Sequence, residues 1–320
     1  MKKAINFFIL LHCFYAYGQG PQKLVTVPIG IGTNVKGWLY LPADYNSTSK
    51  KYPVVFFYHG NGEAGTDPYL LLKQGIPQQI ANGMRPDNIL NPSDGQKYSF
   101  IVLSVQHWSW TPNPEWLPSE VDWLKKNYRI DTSRIYVTGL SAGGTETFHA
   151  VTFNKPVSSL IAAAVPMSPP PLGAYDLNMI RTYNIRTWFF SGDRDAYTQG
   201  VEKYSNECNG VYAASSKMTK YSGDHCCWNT IYDINWKDAA SGWSMWQWML
   251  TNQKQSVRIT DVKVTDLGNK QIRVDFSYEK GIGDESFHIQ IRVKGQLRDI
   301  LIKPSDKTGV NKYSKTINVN

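Results

Sequence analysis

Two different rhythms of apolar and polar positions divide this chain. From about Leu24 to Leu250, short apolar runs alternate with longer amphipathic stretches, the pattern of strand–helix–strand units around a parallel sheet. Val54-Val55-Phe56-Phe57-Tyr58 is a continuous apolar run, as a strand covered on both faces requires. Phe100 to Val105, Ile135 to Thr138, Ala162 to Pro166 and Thr187 to Phe190 read the same way. Ser119 to Tyr128 reads as a helix with Ser119 as N-cap and Val121, Trp123 and Leu124 turned inward. Trp243, Trp246, Met249 and Leu250 fall at helical spacing over Gly242 to Leu250, and an aromatic stripe of this kind is expected to be core.

After Thr251-Asn252-Gln253-Lys254-Gln255 the period drops to two. Val257 and Ile259, then Ile272, Val274 and Phe276, then Phe287, Ile289, Ile291 and Val293 alternate with polar residues, with turns at Gly268-Asn269 and Gly281-Ile282-Gly283. This predicts a strand-only module over residues 255–320, a small β-sandwich. It is shorter than the roughly 100 residues of an immunoglobulin-like domain, so it is either minimal or truncated.

Composition changes the picture at the N-terminus. Lys2 and Lys3 precede a short apolar stretch, Ala4 to Phe14, and then Ala16-Tyr17-Gly18, which together read as a signal peptide over residues 1–18 cleaved near Gly18. The apolar stretch is too short to span a bilayer and no later segment approaches that length, so no stable membrane insertion is expected. A lipoprotein reading through Cys13 is disfavoured by His12, where a small residue belongs. The catalytic region then runs over residues 19–254, a secreted protein being expected. Of the formal net charge of +8, Lys2 and Lys3 account for two, leaving +6 with no basic run longer than a pair. Nucleic acid is therefore not an expected partner.

Cys208, Cys226 and Cys227 remain after the signal. A bond from Cys208 to Cys226 or Cys227 is expected, ahead of a strained vicinal Cys226–Cys227 bond. There is no C-x-x-C and no H-E-x-x-H, so no metal site is expected.

The candidate chemistry centres on Gly139-Leu140-Ser141-Ala142-Gly143-Gly144. A strand, Ile135 to Thr138, precedes it and a plausible helix, Ala142 to Val151, follows, which is the context a G-x-S-x-G nucleophile elbow requires. The alternative is a glycine-rich helix start with Ser141 as an ordinary N-cap. Six histidines compete as base. His12 lies in the signal and His288 in the C-terminal module; His59 and His107 precede the serine, whereas this fold orders nucleophile, acid, histidine. His149 sits on the elbow helix, which leaves His225. Asp195, at the end of the Trp188-Phe189-Phe190 strand, is preferred over Asp193 as the acid that orients the imidazole. The oxyanion donors are expected to be the N–H of Ala142 and one from His59-Gly60-Asn61-Gly62-Glu63, with Asn61 the first choice.

These segments, with Gly192-Asp193-Arg194-Asp195 and Gly223-Asp224-His225 followed by Trp228, resemble secreted bacterial α/β-hydrolase carboxylesterases of the feruloyl/acetyl-xylan esterase and polyhydroxybutyrate-depolymerase-like branch. The likeness covers about Leu24 to Leu250. It implies an α/β-hydrolase fold and acyl-enzyme chemistry without metal or cofactor. That branch carries H-G-x-x-D before the acid, where this chain has Ser191, and Met or Gln after the serine, where it has Ala142. Both departures weaken any transfer of substrate specificity. Gln106, Trp108 and Trp110, following a strand, and Trp228 are candidate substrate contacts, the tryptophans as stacking faces for a sugar or aromatic acyl group or as ordinary rim packing. The expected partner is a polymeric ester substrate, a polysaccharide ester or a polyester. A prolyl-oligopeptidase-like peptidase is a runner-up, and a carbohydrate-binding surface protein on a degenerate hydrolase scaffold is the non-enzyme alternative.

Overall fold

A computed structural model describes residues 21–109, 113–254, 257–280, 287–293, 296–302 and 309–318. Its centre is an eight-stranded sheet: β1 (Gln22–Gly30), β2 (Thr33–Tyr40), β3 (Tyr52–Tyr58), β4 (Ile101–Val105), β5 (Ile130–Leu140), β6 (Ala163–Met167), β7 (Arg186–Gly192) and β8 (Ser216–Tyr221). Across the sheet they lie in the order β1-β2-β4-β3-β5-β6-β7-β8. The hairpin β1–β2 and the β2–β4 pairing are antiparallel, and every pairing from β4 across to β8 is parallel. Each apolar run predicted as a strand coincides with one of these elements, Phe100 and Ala162 lying one residue before β4 and β6.

Both faces of the sheet are covered, which explains the unbroken apolar run of β3. Val54, Phe56 and Tyr58 enter one core and Val55 and Phe57 the other, the alternation a strand imposes. The first core is closed by α2 (Leu117–Asn127) and α3 (Ala142–Thr152), with α6 (Thr198–Val211) beyond the short α4 (Lys155–Ser158) and α5 (Asn178–Thr182). The second is closed by α1 (Gly75–Ala81), α7 (Trp228–Tyr232) and α8 (Met245–Leu250). Trp246, Met249 and Leu250 are buried there, as their spacing predicts, whereas Trp243 lies before the helix and is half-buried. Ser119 does not cap α2: the helix begins two residues earlier, with Pro118 in its first turn and Trp116 as N-cap. Proline tolerates that position because its missing N–H has no intrahelical acceptor there.

The chain leaves β3 toward β4 on one side and reaches β5 on the other. The loops after β3 and β5 therefore diverge at their carboxyl ends and open a crevice, the place where such sheets seat ligands. After residue 256 the described elements are strands only. Val257–Gly268, Gln271–Lys280 and Gly309–Asn318 form an antiparallel three-stranded sheet, and Phe287–Val293 pairs with Gln296–Ile302. Ile272, Val274 and Phe276 are buried, in keeping with their period of two. Among the described residues no helix is long and apolar enough to cross a membrane.

Candidate active site

Ser141 sits between β5 and α3 with φ 54° and ψ −120°, a conformation that costs a non-glycine residue on the order of 1–3 kcal/mol. Its neighbours hold it there. The Ser141 N–H donates to Met167 O (2.9 Å) and Thr145 N–H donates to Ser141 O (3.0 Å). The turn is also too tight for side chains: a Cβ on Gly139 would lie 2.6 Å from Tyr58 O, one on Gly143 would lie 2.6 Å from His59 O, and one on Gly144 would collide with Met167 O. Strand β3, its loop and β6 thus press on the elbow from both sides.

His225 and Asp195 reach the serine from the ends of β8 and β7. His225 Nε2 is 2.8 Å from Ser141 Oγ, and His225 Nδ1 is 2.8 Å from Asp195 Oδ2. The Asp195 carboxylate is fully buried, and its second oxygen accepts the Tyr197 N–H at 2.9 Å. Since a carboxylate can only accept, Nδ1 carries the hydrogen and Nε2 is left to face the hydroxyl. Tyr197 and Trp228 flank the imidazole edge-on, each ring centroid 5.1 Å away.

Asp193, the competing acid, has another role. Its Oδ1 accepts the Gly223 N–H at 3.0 Å, while the Arg194 N–H donates to Gly223 O, so the acid loop and base loop are tied backbone to backbone. Tyr197 was not singled out from the sequence, and Asp193 was weighed only as the acid. Their contributions run through a backbone N–H and a loop contact that no motif encodes.

A strained serine on a β5–α3 elbow now stands at the crevice of a sheet ordered β1-β2-β4-β3-β5-β6-β7-β8. The chain has the α/β-hydrolase fold. In this fold the oxyanion donors come from the elbow and from the loop after β3. Ala142 is the first residue of α3, and Asn61 is the first residue of a 3-10 turn, Asn61–Glu63. Amides at these positions have no intrahelical acceptor. The loop touches the elbow, since a Cβ on Gly60 would lie 2.7 Å from Leu140 Cδ1.

The candidate substrate residues divide. Trp108 is 51% exposed and rests on Trp116, centroids 4.8 Å apart. Trp110 lies outside the described residues. Trp228 is a correction: at 7% exposure it offers little ring area, and its indole edges His225 while its Nε1–H points at Ser168 Oγ (3.3 Å). Gln106 is a second correction. It is buried, and its Nε2 donates to Glu63 O and Asp67 O, both at 2.8 Å, so it braces the loop after β3. The cysteine pairing is a third: Cys226 is bonded to Cys227 and Cys208 is free and buried. Cys208 packs in the core beside Thr187 at the start of β7, whereas the base loop lies past the strand's other end. Five residues at about 3.3 Å each separate the two places by roughly 17 Å. Burial pushes the Cys208 thiol up to about 12.

No protein-family model matches the chain. A 60-residue stretch, 19% of this chain and 8% of the relative, is 40% identical to the bifunctional acetylxylan esterase/xylanase XynS20E of Neocallimastix patriciarum. Among solved structures, a thermostable esterase overlaps 72% of this chain and 60% of its own at 23% identity and a TM-score of 0.45. A ferulic acid esterase overlaps 65% of this chain and 93% of its own at 15% identity and a TM-score of 0.46.

Proposed function

We propose that this chain is an exported serine carboxylic ester hydrolase that works through an acyl-enzyme on Ser141, with acyl or feruloyl esters of polysaccharides as substrates. The observation that carries the reading is the unbroken line from Ser141 Oγ through His225 to Asp195, 2.8 Å at each link, ending on a serine in a strained backbone. A protein that only bound carbohydrate would have no use for such a serine or for a base aligned on it.

The geometry suits acyl transfer in two halves. Ser141 Oγ attacks the ester carbonyl as its proton passes to His225 Nε2. The imidazolium is stabilised by Asp195, and the carbonyl oxygen, now an oxyanion, accepts from the N–H groups of Ala142 and Asn61. Collapse breaks the bond to the alcohol, which leaves with the proton from Nε2. Water then attacks the acyl-serine, giving its proton to His225, and the carboxylic acid departs with Ser141 restored.

Two observations support the polysaccharide side of the proposal. Trp108 presents an exposed aromatic face, the kind of surface on which a sugar or a feruloyl ring stacks. The stretch similar to a protein named as an acetylxylan esterase/xylanase points the same way. Export rests on the basic, apolar and small-residue pattern of residues 1–18, which lie outside the described residues.

Purified protein should hydrolyse p-nitrophenyl acetate and be labelled by a fluorophosphonate probe. Ser141→Ala should abolish labelling and lower kcat by on the order of 10³-fold or more. Folded wild-type protein that ignores the probe would overturn the esterase reading. Comparing acetylated xylan, methyl ferulate, polyester film and proline-containing peptides then assigns the substrate class.

A further inference from the structure

Behind the oxyanion loop lies a cluster of buried ionisable groups that the acyl-transfer steps do not use. Tyr58 comes from the end of β3, His59 and His107 from the loops after β3 and β4, Glu120 from α2 and Glu146 from α3, and all five are buried. Three of them form a chain of contacts that starts on the nucleophile's own helix. Glu146 Oε2 is 3.2 Å from His107 Nδ1. The His107 backbone N–H donates to His59 Nε2 at 2.9 Å, and His59 Nδ1–H donates to Gly60 O at 2.6 Å.

The two bonds of His59 leave its ring one possible form. A carbonyl can only accept, so Nδ1 must carry the hydrogen, and an N–H can only donate, so Nε2 must be bare. Burial pushes the His59 pKa down to about 4, so this neutral tautomer persists across the physiological range. At His107 burial opposes the imidazolium, but the charge and hydrogen bond of Glu146, with the charge of Glu120, override it and raise the pKa. Glu146 therefore holds the His107 ring, and a neutral His59 couples that contact to the residue before Asn61.

We propose that Glu146 and His107 are positioning residues for the oxyanion hole, acting through His59 to set the distance between the Gly60–Asn61 amides and Ser141. The proposal rests on the serine-esterase reading and adds to it. Its physical basis is that the loop and the elbow are in contact with no slack, Gly60 against Leu140 and Gly143 against His59 O. A shift of the loop therefore moves the second oxyanion donor relative to the first. Because the donors act on the tetrahedral intermediate and not on the ground-state carbonyl, such a shift falls on kcat and leaves KM alone.

The test compares Glu146→Ala, Glu146→Gln and wild type on p-nitrophenyl acetate, with fluorophosphonate labelling and competition by phenylboronic acid, whose tetrahedral adduct on the serine uses the oxyanion donors. Glu146→Ala should lower kcat about 10- to 100-fold with KM within about twofold, the scale of a small misplacement of a catalytic group. Its inhibition constant for phenylboronic acid should rise in step. Glu146→Gln, which keeps an acceptor for His107 Nδ1, should recover most of the loss. Should Glu146→Ala fail to fold, His59→Phe keeps the ring volume, loses both bonds and should show the same split between kcat and KM. Unchanged kcat, or a loss that appears in KM, would overturn the positioning role while wild-type labelling keeps the esterase reading intact. Wild-type protein that is not labelled sinks the esterase reading itself.

Discussion

The two sides of Ser141 are built on opposite electrostatic plans. On the base side, the loops carrying Asp195 and His225 are joined near the surface. Asp193 and Arg194 donate backbone N–H groups to Tyr221 O (2.8 Å) and Gly223 O (3.0 Å), and Arg194 Nε meets Asp224 Oδ1 at 3.0 Å. Those last two side chains are 60% and 72% exposed, so water screens their attraction and the backbone bonds hold the loops. Gly192 lets the loops approach, because a Cβ there would collide with the carbonyls of Gly223 and Asp224. On the oxyanion side the corresponding ties are buried: Gln106 bridges two carbonyls, and Glu146, His107 and His59 form a chain away from solvent. A buried polar tie is strong only while every partner is present, since the group left behind cannot turn to water. The oxyanion side should therefore be fragile to single substitutions where the base side is tolerant.

The largest effect that would sharpen this contrast is expected from Gln106→Ala. It strips the buried Glu63 O of its donor and removes one of the two donors to Asp67 O, and denaturant unfolding should show a loss of about 1–3 kcal/mol, accompanied by lower kcat as the oxyanion loop loosens. A stability equal to wild type would break the comparison on its buried side.

Glu120→Gln should act through pH. Neither oxygen of the buried Glu120 carboxyl has a hydrogen-bond partner among the described residues. Burial pushes its pKa up to about 8, with the Glu146 charge adding to the rise and His107 opposing it. The unfolded carboxyl ionises near the ordinary value of 4.5, so folding takes up a proton between these two values. Wild-type stability from this group falls as pH rises from about 4.5 to about 8 and is level beyond, because the native state binds more protons than the unfolded one in that window. Melting temperatures of variant and wild type should diverge across it, the variant being the more stable at the alkaline end. Parallel melting curves from pH 5 to 9 would show that this carboxyl is not held protonated.

Arg194→Ala should do least. It removes two exposed ion pairs, to Asp193 and Asp224, each worth less than about 1 kcal/mol, and activity should stay within about twofold of wild type. An activity loss matching that of Gln106→Ala would mean the base side depends on its charges after all.

The parts of this site legible in sequence are those where backbone sterics restrict the residue type. Gly139, Gly143 and Gly144 announce the elbow because no Cβ fits there, and the order serine, aspartate, histidine left His225 as the base and Asp195 as the favoured acid. The unbroken apolar run of β3 likewise reports a strand buried on both faces. Gln106, Trp228 and the cysteines were misread because composition says nothing about direction. A glutamine at the end of a strand can face substrate or a neighbouring loop, and here the backbone carbonyls of Glu63 and Asp67 draw it inward. Trp228 follows the base closely in sequence, but α7 turns its ring beneath the imidazole and into the second core. Cys208 and the Cys226–Cys227 pair are close in number and lie toward opposite ends of β7.

By itself the sequence determined the alternation of strands and helices, the change of period near residue 255, the strained serine and the chain order of its partners, because each depends on local sterics or periodicity. Tertiary structure alone decided which polar residues face substrate and which brace the loops. That choice is settled by which donors and acceptors from distant segments are left without partners once both faces of the sheet are covered, and such pairing leaves no local trace.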